Sequence, residues 1–101
     1  MWSTIYIYLP DQAEWEDMSL FLTLESAYHY AASHLLKYLD KKHPWSEVSR
    51  YRIETFRAKP ANAFHLTPTY ESHRIRDLTV DEVVALQHAV AEHTDLSRFF
   101  T

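Results

Sequence analysis

The chain has 101 residues, and none of them is glycine. Average usage of about 7% would supply several. Glycine enters left-handed backbone without steric cost and lets a main chain approach a phosphate closely. Tight two-residue hairpins of the Asn-Gly kind are therefore closed to this chain, and its turns must be longer or rely on Asp, Asn and Pro. Phosphate-cradling loops of the P-loop or dinucleotide type are excluded on the same ground. Cysteine is absent too, which removes disulfides, thiolate metal sites and a cysteine nucleophile.

Within these limits, residues 23–42 form the stretch around which the rest is organised. It contains no proline, and at 100° per residue Leu24, Ala27, Tyr28, Ala31, Leu35, Tyr38 and Leu39 fall on one stripe. Ser26, Ser33, Lys37 and Asp40 fall opposite, and His29 also lies away from the buried side. Thr23 suits the N-cap, Glu25 the positive end of the helix, and Lys41 and Lys42 its negative end. The stripe predicts an amphipathic helix packed on a sheet.

The strands follow from period-two alternation. Ser3 to Leu9 places Ile5, Ile7 and Leu9 on one side and Tyr6 and Tyr8 on the other, and Pro10 ends it. A polar segment, Asp11 to Asp17, carries Trp15 amid acids. Met18 to Leu22 resumes the alternation, so the two strands form a hairpin with a long acidic tip. His43-Pro44 ends the helix, since the residue before proline resists the α region. A third strand is expected between Val48 and Arg57. Ala58 to Tyr70, with Pro60, Asn62 and Pro68, reads as a loop in which Phe64 and Leu66 form a short edge strand. Another short strand is expected at His73 to Arg76. Thr79 and Glu82 have capping-box spacing, with Leu78 and Val83 as a hydrophobic staple. The second helix should run to about His93, with Val80, Val83, Val84, Leu86 and Val90 inward and Asp81, His88 and Glu92 outward. Leu96, Phe99 and Phe100 should fold back onto the body.

The result is a single α+β domain over residues 1–101, a small, mostly antiparallel sheet of three to four strands with ββαβ(β)α order and two helices. In this reading Ile5, Ile7, Met18, Leu20, Leu22, Tyr51 and Ile53 meet the central helix. Tyr6, Tyr8, Phe21 and Phe56 emerge on the reverse face beside Arg50 and Arg52.

Charge divides the chain into three. Residues 1–36 hold five acids and no Lys or Arg, for a net −5; residues 37–76 have a net +5, and residues 77–101 a net −4. Two acidic ends around a basic middle either pair within the fold or present opposite faces to a partner. Three kinds of site were weighed on this frame. His88 and Glu92 stand at i, i+4 with Asp81 a turn further off, but no second His joins that stripe and ordinary exposed surface explains it. Neither a metal nor a cofactor is expected. No glycine-flanked turn exposes a serine nucleophile, so an enzyme is not expected. Arg50, Arg52, Phe56, Tyr6, Tyr8 and Phe21 together would make a nucleic-acid face of rings and cations; the net charge of −4 argues against it. The acidic tip Asp11, Glu14, Trp15, Glu16 and Asp17 has the composition of a protein-binding hot spot, a large ring rimmed by steering charge. Tyr30, on the outer side of the central helix, adds to it. A bare aromatic sheet face would also invite a homodimer.

The chain lacks a basic segment followed by an apolar run at its start, and no apolar run approaches the roughly 20 residues of a membrane span. The expected location is the cytoplasm, without membrane contact. In size, acidity and lack of catalytic apparatus the chain resembles two broad groups. One is the small inhibitors of phages and mobile elements, anti-CRISPR and other anti-defence proteins included; the other is the immunity proteins that neutralise toxins. The resemblance implies a non-enzymatic inhibitor that occupies a basic surface of a nucleic-acid-handling partner. The alternative is an RNA- or single-stranded-DNA-contacting domain.

Overall fold

The computed structural model describes residues 3–9, 19–40, 52–59 and 62–101. They form an α+β fold: strands β1 (Ser3–Leu9) and β2 (Ser19–Phe21), helix α1 (Leu24–Asp40), strands β3 (Arg52–Lys59) and β4 (Asn62–Arg74), helix α2 (Val80–Glu92) and a single 3₁₀ turn (Ser97–Phe99). The strands make one sheet in the order β2-β1-β3-β4, antiparallel at every step.

Helix α1 forms where the periodicity places it. The Thr23 hydroxyl accepts the Ser26 amide at 3.2 Å, which satisfies one of the free N–H groups of the first turn. Ala27, Tyr28, Ala31 and Leu35 are buried, as their shared stripe predicts, and Ala32 is buried with them. The alanines bring the helix axis close to the sheet, and the aromatic side chains fill the space on either flank.

Strands β1 and β2 are turned the other way from the sequence reading, whereas β3 faces as expected, with Ile53 toward α1 and Phe56 away from it. Tyr8, fully buried, meets the edges of the Tyr30 and His34 rings at 5.5 and 5.6 Å, and both belong to α1. Phe21 lies 5.2 Å from Tyr30. Register carries the same face outward: Tyr6 stands opposite Phe21 and Thr55, Tyr8 opposite Ile53, and Ile53 opposite His73. Tyr6, Tyr8, Phe21 and Ile53 therefore face α1. Ile5, Ile7, Leu20 and Phe56 lie on the other face, as Ile5 pairs with Phe56 and Ile7 with Leu20. Leu20 is largely exposed there and Leu22, beyond the end of β2, more so, so neither lies beneath the helix. Both alternating sets of β1 are apolar, so alternation alone cannot rank them. Shape decides: rings beside an alanine-faced helix fill a gap that isoleucines leave open.

Residues 62–70 are not a loop with scattered short strands. From Asn62 onward they belong to one 13-residue strand. Pro68 is tolerated because β4 is an edge strand, where a missing N–H can face away from the ladder. The strain is taken up by a bulge: pairing passes from Glu54–Ser72 to Phe56–Pro68, so Thr55 faces three residues of β4. Tyr70, inside this bulge, has φ 62° and is 91% exposed.

Helix α2 has both arms of the capping box, Glu82 N–H to Thr79 Oγ1 at 3.2 Å and Thr79 N–H to Glu82 Oε1 at 3.1 Å. Its buried stripe is narrower than expected and rotated. Leu86 and Ala89 are inside, whereas Val80 and Val84 point outward. Leu96, Phe99 and Phe100 do return to the core. Phe100 stacks on Tyr28 at 4.2 Å, and Thr101 exchanges backbone hydrogen bonds with Arg74.

Candidate binding groove

Four neighbours hold the N-terminal half of α1. The Tyr28 hydroxyl hydrogen-bonds His73 Nδ1 at 3.0 Å on β4. Tyr30 leans on Phe21 and Tyr8 of β2 and β1. His29 Nε2 donates to the Val90 carbonyl at 3.2 Å on α2, and its ring stacks on His93 at 4.5 Å with 6° between planes. His29 is thus half-buried between helices rather than a free surface residue. His93 caps α2 in left-handed backbone (φ 55°, ψ 38°), where glycine would be ordinary. The chain has no glycine to place there.

Between these supports lies an open groove of about 1020 Å³. Phe21, Leu24, Tyr28 and Tyr30 form its apolar wall, and Thr94 to Ser97 close its far side. Glu25 and Asp95 bring carboxylates from two distant parts of the chain, and neither Lys nor Arg is among the described residues lining the groove. Burial raises the pKa of the Tyr28 phenol, and the charges of Glu25, Tyr6 and Asp95 raise it further. Asp95 accepts the Ser97 amide at 3.0 Å and its hydroxyl at 2.9 Å. Those bonds, with a smaller contribution from Arg98, hold the Asp95 carboxyl below the usual range, so it stays ionised. Arg98 itself lies over the Phe99 ring, 4.6 Å from its centroid. Glu25 has no hydrogen bond or ion pair among the described residues.

The residues singled out from sequence are only partly brought together. Tyr30 is 39% exposed on the groove wall, packed against β1 and β2 rather than standing free. Asp11, Glu14, Trp15, Glu16, Asp17 and Arg50 lie outside the described residues. The ring-and-cation face is split across the sheet. Tyr6, Tyr8 and Phe21 lie under α1, while Arg52 and Phe56 are on the opposite face, where Arg52 pairs with Glu54 at 2.6 Å. The covered aromatic face also removes the bare surface on which the homodimer expectation rested. Among the described residues no three His, Asp or Glu side chains come together as a metal site, and no helix is long and apolar enough to cross a membrane.

Sequence reasoning gave Glu25 a role only at the positive end of α1 and assigned none to Asp95. The signal that could have found them was the charge segmentation, since each belongs to an acidic end of the chain. No family model, curated protein or solved structure matches this chain.

Proposed function

We propose that the protein is a non-enzymatic binding protein that occupies a basic surface of a partner protein. The observation that carries this reading is the meeting of the chain's two acidic ends in one groove. Residues 21–33 and 93–97 supply its described lining, with two carboxylates, several rings and neither Lys nor Arg. Low net charge alone would not favour a particular partner; acids gathered beside an apolar wall do, because the wall supplies affinity and the charge supplies orientation and speed. The acidic tip from Asp11 to Asp17 extends the same preference.

A phage or mobile-element inhibitor, anti-defence or immunity-like, working in the cytoplasm on a nucleic-acid-handling partner fits this chemistry, since such partners carry basic surfaces to hold phosphates. The RNA- or DNA-contacting alternative loses support because, among the described residues, Tyr6, Tyr8 and Phe21 lie on the α1 face and Arg52 on the other.

The test is a pair of titrations at low and high salt, one with a labelled lysine- and arginine-rich peptide and one with a labelled single-stranded oligonucleotide. The reading expects salt-sensitive peptide binding, weakened in Glu25→Gln/Asp95→Asn, and no oligonucleotide binding. Submicromolar oligonucleotide binding lost in Arg50→Ala/Arg52→Ala would replace it with the nucleic-acid reading.

A further inference from the structure

Given that reading of the groove, its geometry points to a narrower ligand: we infer that it takes an arginine side chain from the partner, in preference to lysine. Three observations lead there. The carboxylates differ in freedom. Asp95 is fixed by two hydrogen bonds from Ser97, while Glu25, in the first turn of α1, has no partner among the described residues and can turn toward a guest. A cationic guest in the groove meets one rigid acceptor and one adjustable acceptor among its lining residues. The second observation is the ring wall. Phe21 and Tyr30, 5.2 Å apart and tilted by 46°, present an apolar surface beside the acids. A guanidinium is planar, weakly hydrated and able to lie on a ring while its edge donates two parallel hydrogen bonds to a carboxylate. An ammonium is a compact, strongly hydrated point charge that gains less from such a wall. The third is width: at about 1020 Å³ and open to solvent, the groove accommodates a side chain with its flanking backbone.

Lysine would satisfy the charges but leave the wall unused. A neutral urea of the same shape would satisfy the wall but leave the two carboxylates of the lining without a cation. Arginine satisfies both. The hydroxyls of Ser26 and Ser33 also lie on the lining and can receive guanidinium or backbone donors of the guest.

Three acetylated, amidated pentapeptides separate these cases: Leu-Arg-Leu-Arg-Leu, and the same sequence with lysine or with citrulline in place of both arginines. Each is titrated into the isotopically labelled full chain while amide shifts are followed. The inference expects the arginine peptide to shift residues 25–33 and 93–97 and to bind about tenfold or more tightly than the lysine peptide. Citrulline should give no saturable shift, and Glu25→Gln should bring the arginine and lysine affinities together. Equal binding of arginine and lysine at these residues would overturn the arginine preference and leave the basic-partner groove standing. Shifts confined to other residues, or none with any peptide, would overturn both. Glu25→Gln keeps the helix intact if its circular dichroism and urea midpoint stay near those of the unaltered chain. If they do not, Asp95→Asn, which retains an acceptor for the Ser97 amide, provides the same comparison.

Discussion

The two helices are held in opposite ways. Helix α1 is held by its face: Ala27, Tyr28, Ala31, Ala32 and Leu35 are all buried, and its neighbours include β1, β2, β3 and α2. Helix α2 has only Leu86 and Ala89 fully inside, and its ends do more of the holding. A capping box closes its start, and Arg76 donates to Glu82 at 3.0 Å and to the Arg98 carbonyl at 2.7 Å. At its far end the His93 and Thr94 amides return to the carbonyls of Val90 and Ala89. A helix held by its face loses stability through cavities, whereas one held by its ends loses it through caps and charge. The groove lies where the two meet, with one wall from α1 and the other from the segment just beyond α2.

Four measurements would break or sharpen this contrast, all read as urea unfolding midpoints. The largest effect should come from α1. Leu35, 1% exposed, should cost about 2–5 kcal/mol on truncation to alanine. A smaller loss than that of any α2 end variant would mean that α1 is not held by its face. Next is the cap of α2: Thr79→Ala should cost about 1 kcal/mol, and Thr79→Ser should recover most of it.

The contact between the helices comes third. His29→Ala removes the hydrogen bond to Val90 and the stack on His93, so a loss approaching about 1 kcal/mol is expected. An outward surface residue would stay within about 0.5 kcal/mol, and that result would detach the groove's floor from α2.

The smallest effect is a pH dependence. Hydrogen bonds from the Thr79 amide, then from Arg76, hold the Glu82 carboxyl below its ordinary pKa. A depressed folded-state value contributes stability that is present above the unfolded value, near pH 4.5, and is lost as pH falls through the lower folded value. Between about pH 5 and pH 3, set by the ordinary carboxylate range, the unaltered chain should therefore lose more stability than Glu82→Gln does. Parallel curves for the two would remove charge from the account of α2.

Both helices were legible in the order of residues because each carries local information. For α1 it is a stripe on which buried residues recur at spacings of three and four. For α2 it is the Thr79–Glu82 box, a contact between residues three apart that needs nothing distant. The antiparallel α+β arrangement follows from such local patterns and a short chain. The facing of β1 and β2 does not. Ile5 and Ile7 against Tyr6 and Tyr8 offer two apolar sides, and only the alanine-lined surface of α1 and the flanking space it leaves select the tyrosines. The rotation of α2 has the same origin, since five valines and leucines span more of its circumference than α1 can cover. The continuity of β4 was hidden because proline and a bulge read locally as a break, whereas pairing with β3 spans both.

The groove belongs wholly to this second class. Residues 1–36 and 77–101 are acidic in any conformation, so charge per segment was determined by sequence alone. That Glu25 and Asp95, seventy positions apart, line one groove was decided by the return of Leu96, Phe99 and Phe100 to the core. Long-range packing sets such positions, because burying those side chains brings Asp95 to the start of α1 whatever its own local preference.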